Sequence, residues 1–175
     1  SGSLPLEAAQ LASNHAAGLL SPDFGFQRWP DFNAALWKNL LEEAETTKRE
    51  LPANLIFGSD RDKRSVDLAR RNAESAGIGA KIRWSYNDFA KLEAPASQGT
   101  LICNPPYGER LGNEEELTAF YRKIGDTFKQ NWKGWTAWVF TGNLALAKQV
   151  GLKASRRIVL YNGPIECRLL KYDLY

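Results

Sequence analysis

Short apolar runs alternate with segments of helical periodicity along this chain, and that alternation restricts the fold more than any other feature. The runs are ANLIFGSD (53–60), AKIRWSY (80–86), GTLICN (99–104) and WTAWVFTG (135–142). Each is short, apolar and bounded by turn residues, so each reads as a strand. Between and after them, RDKRSVDLARRNAESAG predicts a helix closed by Gly77, EEELTAFYRKIGDTFKQNW a longer helix and NLALAKQVG a short one. Strands that alternate with helices run parallel, because each helix carries the chain back over the sheet. The end breaks the pattern: SRRIVLYNGPIECRLLKYDLY reads as two strands turning at Asn162-Gly163, a hairpin signal. The expected class is α/β, an open and mostly parallel sheet with helices on both faces and a C-terminal antiparallel hairpin.

Upstream, Leu4, Leu6, Ala8, Ala9, Leu11 and Ala12 fit a helix buried on most sides, with Ser3 as N-cap and Pro5 in the first turn. GLLSPDFGFQRWPDF interrupts it, and a second helix follows from about Asp31 to Arg49, apolar at Phe32, Ala35, Leu36, Leu40 and Ala44. Residues 20–50 thus read as an insert whose helix packs beside the sheet. With 175 residues, 43% of them hydrophobic, one domain over 1–175 is expected. A net charge of +3 permits a polyanionic partner without demanding one. Cys103 and Cys167 lie far apart and His15 is the only histidine, which argues against a zinc site or a His-centred triad. The thiols read as core residues of a reducing compartment. No run approaches a membrane span and no signal peptide opens the chain, so a cytoplasmic location without membrane contact is expected. A chain without methionine that begins SGSLPLEAAQLA is expected to be a piece of something longer.

In open sheets of this kind ligands bind beyond the carboxyl ends of the strands, which directs attention to the loops near Gly2, Asp60, Asp88, Asn104 and Thr141. One of them is unusual. TLIC runs into Asn104-Pro105-Pro106-Tyr107, and the two prolines remove two backbone donors, so the strand ends there in a rigid loop. The Asn104 side-chain oxygen and the Pro105 carbonyl are placed to accept hydrogen bonds from one exocyclic NH2, favouring a nitrogen whose lone pair points at an electrophile. Tyr107 is suited to stack on the ring that bears the amine. Alternatively, the string is a strand-ending turn with a surface tyrosine.

The set SGSLPLEAA, IFGSDRD, ARRNAESAG, Asn87-Asp88 and NPPYGERLG resembles the S-adenosylmethionine-dependent amino-methyltransferases. More closely it resembles the bacterial large-subunit (23S) ribosomal RNA guanine-N2 methyltransferases that carry a THUMP domain upstream. The likeness extends over FQRWPDFN and RRIVLYNGPIECRLLKYDL. It implies a Rossmann-like class I methyltransferase fold, S-adenosylmethionine as cofactor and ribosomal RNA as partner. It also implies roles for residues: Asn104, Pro105, Pro106 and Tyr107 in catalysis, and Gly2, Asp60, Asp88 and Asn104 in cofactor binding. Gly2 would let the backbone approach the methionine and ribose part, Asp60 would accept from the ribose hydroxyls, and Asp88 would bind the adenine amine. Each has a plainer alternative: Gly2 as a tag remnant, Asp60 as a helix cap, Asp88 as turn chemistry.

The family's glycine motif follows a first strand, and this chain starts inside that motif. The expectation is that upstream residues complete the sheet, or that the piece alone is not a competent enzyme. Arg110, beside the amine loop, is the favoured RNA contact. The cluster Arg61, Lys63, Arg64, Arg70 and Arg71 reads first as a solvated helix face. Adenine N6 in DNA and a glutamine amide of a release factor offer the same flat, conjugated NH2, so the asparagine loop alone leaves them open, as it does a non-catalytic RNA-binding domain.

Overall fold

The computed structural model describes residues 2–21, 23–52, 54–107 and 113–175. The chain divides between Asn87 and Asp88 into two compact units, each with its own sheet.

The first unit holds α1 (Ser3–Ala12), α2 (Ala34–Thr46), β1 (Ile56–Asp60), α3 (Lys63–Ser75) and β2 (Ile82–Tyr86). β1 and β2 pair in parallel, with Ile56 opposite Ile82 and Asp60 opposite Tyr86. A small core forms from Ala9 of α1, Leu51, Ala73 of α3, Ala76, Ile78 and Ile82. Both ends of α3 are chemically fixed. Asp62 accepts from the amides of Arg64 and Ser65 at the start. At the far end Gly77 (φ 70°) donates to Glu74 at 2.9 Å and Ile78 to Ala73 at 3.0 Å, the paired closure that a left-handed glycine permits.

Two expectations for this unit change. In α1, Ser3 is the first helical residue and Gly2 occupies the cap position with φ 73° and no side-chain bond. Only Ala9 and Gln10 are buried there and Leu11 is 81% exposed, because a two-stranded sheet offers a helix one stripe to cover. Asn33 caps α2, but α2 buries no residue and packs chiefly on the 3-10 turn Ala17–Leu20. The insert has a local alternative to the sheet: Trp37 sits edge-on to both Phe24 and Phe26, at 5.6 and 5.1 Å.

The second unit holds β3 (Thr100–Cys103), α4 (Glu114–Asn131), β4 (Thr136–Thr141), α5 (Leu144–Lys148), β5 (Arg156–Asn162) and β6 (Ile165–Asp173). The sheet order is β3-β4-β6-β5, parallel at β3–β4 and antiparallel elsewhere. Ala137, Val139, Leu170 and Tyr172 share one face, and Tyr121, Ile124 and Phe128 of α4 bury against them with Leu146, Ala147 and Val150. Inside this core the Tyr121 hydroxyl meets Thr141 Oγ1 at 2.9 Å.

The hairpin turns one residue later than its Asn-Gly signal suggests. Asn162 pairs with Ile165, which leaves Gly163 (φ 58°) and Pro164 as the loop. A turn centred on Asn162-Gly163 would require Pro164 to donate the closing hydrogen bond, and proline has no N–H. Among the described residues no strand pairs with the free edge of β1 or of β3.

Candidate active site

β3 ends at Cys103, and residues 104–107 leave the ladder as the two prolines require. Asn104 is exposed, and its amide makes no hydrogen bond among the described residues; Pro105 is buried, Pro106 and Tyr107 half-buried. The Tyr107 ring is seated in detail. Phe140 of β4 meets it edge-on at 6.1 Å and 82°. Gly142 lies beneath it: a Cβ there would come within 2.9 Å of the ring carbons Cδ2 and Cε2. The hydroxyl accepts from Asn162 Nδ2 at 2.9 Å, with the Cys167 thiol at 3.8 Å. The strand register puts Phe140, Asn162, Ile165 and Cys167 on one face, opposite the face that α4 covers. Enclosure raises the Tyr107 phenol above its ordinary range, and the Asn162 bond offsets part of that rise by favouring the phenolate. The neighbouring Cys103 thiol is pushed up to about 12 by burial, and Cys103 and Cys167 are both free.

Asp88 opens the 3-10 turn Phe89–Lys91. Its Oδ1 accepts from the Ala90 amide at 3.0 Å and its Oδ2 pairs with Lys123 Nζ at 3.3 Å. The Ala90 amide first, and Lys123 second, hold the carboxyl below the usual carboxylate range. The turn-capping role is therefore realised. A carboxylate has about four acceptor positions, so room remains for a further donor.

In the first unit, Asp60 closes β1 with its side chain exposed. Its Oδ1 accepts from the Asp62 amide at 2.9 Å, and its backbone oxygen accepts from Asn87 at 3.0 Å. Asp62, not Asp60, caps α3. Opposite Asp60 stands Tyr86, 64% exposed, an aromatic that the sequence pattern does not single out. At Gly2 a Cβ would fall 2.5 Å from Ala69 Cβ and 3.0 Å from Trp84, so packing alone already demands glycine there.

Arg110 lies outside the described residues. Arg61, Lys63, Arg64, Arg70 and Arg71 are all exposed, while Val66, Ala69 and Ala73 form the inward stripe of α3, as a solvated charged face requires. Among the described residues no cluster of three or more His, Cys, Asp or Glu is disposed to hold a metal ion, and no helix is long and apolar enough to cross a membrane. The seat of Tyr107 is the part that sequence reasoning misses. Gly142 follows a predicted strand and is within reach of it, whereas no sequence signal joins Asn162 to a residue so far upstream.

The family described as RMKL-like, methyltransferase domain, matches residues 1–171. A candidate RNA methyltransferase of Synechocystis sp. is 47% identical over 175 residues, covering 100% of this chain and 46% of the relative. The ribosomal RNA large subunit methyltransferase K/L of Syntrophotalea carbinolica is 42% identical over 182 residues, covering 99% of this chain and 25% of the relative. The chain thus spans about half the length of the first relative and a quarter of the second. Among solved structures, a candidate methyltransferase in complex with SAH superposes with a TM-score of 0.91 at 30% identity, over 99% of this chain and 46% of that one. A Listeria monocytogenes protein described as a candidate N6-adenine-specific DNA methylase superposes at 0.86 and 31%, over 99% and 44%.

Proposed function

Because this chain belongs to the RMKL-like methyltransferase family, we propose that it transfers a methyl group from S-adenosylmethionine to an exocyclic amino group of RNA, the N2 of a guanine in large-subunit ribosomal RNA. One observation carries the reading: an exposed Asn104 amide, without a partner among the described residues, stands beside a proline-stiffened backbone at the carboxyl edge of the sheet. A buried polar group would be bonded, and an incidental surface asparagine would not be followed by two prolines and a seated tyrosine. The relatives named for large-subunit ribosomal RNA favour RNA, the neighbour bound to SAH favours the cofactor, and guanine N2 rests on the resemblance of the NPPYGERLG loop and the C-terminal segment alone.

Taken one at a time, each within its own unit, the candidate residues carry chemistry that this cofactor would use. Asp60 offers an exposed carboxylate steadied by one backbone amide, as a ribose diol needs, and Asp88 keeps acceptor capacity for an adenine amine. Gly2 would contribute backbone and not space, since Ala69 and Trp84 already occupy the side on which its Cβ would stand. When bound, S-adenosylmethionine supplies an electrophilic methyl group on a sulfonium. The protein's part is to hold the nucleophile. Asn104 Oδ1 and the Pro105 carbonyl would accept the two amine hydrogens, turning a conjugated and weakly nucleophilic nitrogen toward a pyramidal one. Tyr107 would stack on the base, which has to be unpaired or flipped to expose the amine. The methylated nitrogen sheds its proton to water readily, so the loop has no need of a strong base. A THUMP domain elsewhere in the whole protein would supply most of the RNA affinity.

DNA adenine N6 is the second reading, favoured by the Listeria neighbour described as an adenine-specific DNA methylase. Labelled S-adenosylmethionine with unmodified ribosomal RNA and, separately, with unmethylated DNA, each digested to nucleosides, separates them. N2-methylguanosine supports the proposal. Methyladenine keeps the loop chemistry and overturns the substrate, and transfer to neither nucleic acid leaves a protein amide as substrate or a non-catalytic role.

A further inference from the structure

We infer that Asn162, at the tip of the C-terminal hairpin, is a positioning residue that orients the Tyr107 ring for the target base. This rests on the reading of residues 104–107 as the amine-binding loop.

Tyr107 is held at three places, and each removes a different freedom. Phe140, edge-on at 82°, sets the plane of the ring. Gly142 leaves the ring room to lie close over the end of β4, where any side chain would displace it. Those contacts leave the outer end of the ring able to swing. Asn162 Nδ2, at 2.9 Å from the hydroxyl, stops that swing. Asn162 is itself fixed, since it is the last paired residue before the Gly163-Pro164 loop and faces Ile165 across the ladder. The hairpin is thereby coupled to the loop after β3, although the two lie far apart in sequence. A stacking ring fixed before the base arrives spares the base the cost of ordering it. Asn162 is exposed, so its amide adds little to the core, and its bond to the site tyrosine is the contact to account for.

The test uses the protein at its full natural length, with Asn162→Ala, Tyr107→Phe and the double variant, assayed for methyl transfer to unmodified ribosomal RNA. Each single change is expected to lower kcat about five-fold, the worth of one hydrogen bond, with cofactor affinity unchanged. The double variant should be no worse than either, because both remove the same bond. Independently of activity, the Tyr107 phenol, followed by ring-carbon NMR, should titrate at higher pH in Asn162→Ala, since a donor that favours the phenolate is gone. Losses that multiply in the double variant, or a Tyr107 titration that does not move, would overturn the inference. An active parent protein whose Asn162→Ala variant keeps full kcat overturns this inference alone. A parent that binds cofactor and transfers nothing to RNA, DNA or a protein amide overturns the reading of the site on which it rests.

Discussion

Asn104 and Gly142 matter for what they lack, a partner among the described residues in one case and a side chain in the other. At Gly142, Ala would put a carbon within 2.9 Å of the Tyr107 ring. We expect Gly142→Ala to cut turnover by roughly ten-fold or more through displacement of the ring, and to cost about 1–3 kcal/mol through overpacking. Steady-state kinetics and thermal melts of the same variant check both. Cys103 offers a contrasting test. With its thiol pushed up to about 12 by burial, the thiolate is scarce at neutral pH. Iodoacetamide at pH 8 should modify the half-buried Cys103 much more slowly in the native protein than after unfolding, as peptide mass spectrometry would show. At this scale the sequence points to Asn104 and the prolines because their chemistry is local. Phe140 and Asn162 stay hidden because what they do depends on a register that only the folded sheet sets.

Among the elements, β4 and α3 carry the clearest consequences. Thr141 closes β4 fully buried and bonds the equally buried Tyr121 of α4. Thr141→Val leaves that phenol without its partner and should cost about 1–3 kcal/mol in urea denaturation. Tyr121→Phe should cost less, because Thr141 Oγ1 still accepts from the Asn143 amide at 3.1 Å. At the start of α3, the Ser65 hydroxyl first and the Arg64 amide second hold the Asp62 carboxyl below its usual range. A depressed carboxyl stabilises the fold above its unfolded value of about 3.9 and loses that contribution as pH falls through the lower, folded value. Asp62→Asn, which caps without titrating, should therefore weaken the dependence of stability on pH below about 4, measured by denaturation across that range. Elements are the most legible level of the sequence, since the segments read as helices form as Lys63–Ser75, Glu114–Asn131 and Leu144–Lys148, with Gly77 closing the first. The hairpin differs by one residue because the Asn-Gly signal gives way to the proline that follows it. α2 departs from its expected place because Trp37 and the nearby phenylalanines give the insert a cluster of its own.

For the whole molecule, alternation of strand and helix is enough to name an α/β fold, and the superposition at a TM-score of 0.91 on a methyltransferase agrees with it. Topology of this kind is written in the spacing of apolar runs, which survives large changes in sequence. Substrate choice is not written there, because guanine N2 and adenine N6 present the same flat amine to the same four residues. The central proposal is narrower than substrate choice: Asn104 and its prolines make that amine reactive. The measurement that tests it most directly is single-turnover methyl transfer by Asn104→Ala beside its parent, with cofactor affinity measured on both proteins. The expected result is a rate lower by on the order of a hundred-fold or more, as for loss of one preorganised hydrogen-bonding group at a reacting centre, with cofactor affinity nearly unchanged. A variant that binds cofactor normally and transfers methyl groups at the parental rate would contradict it.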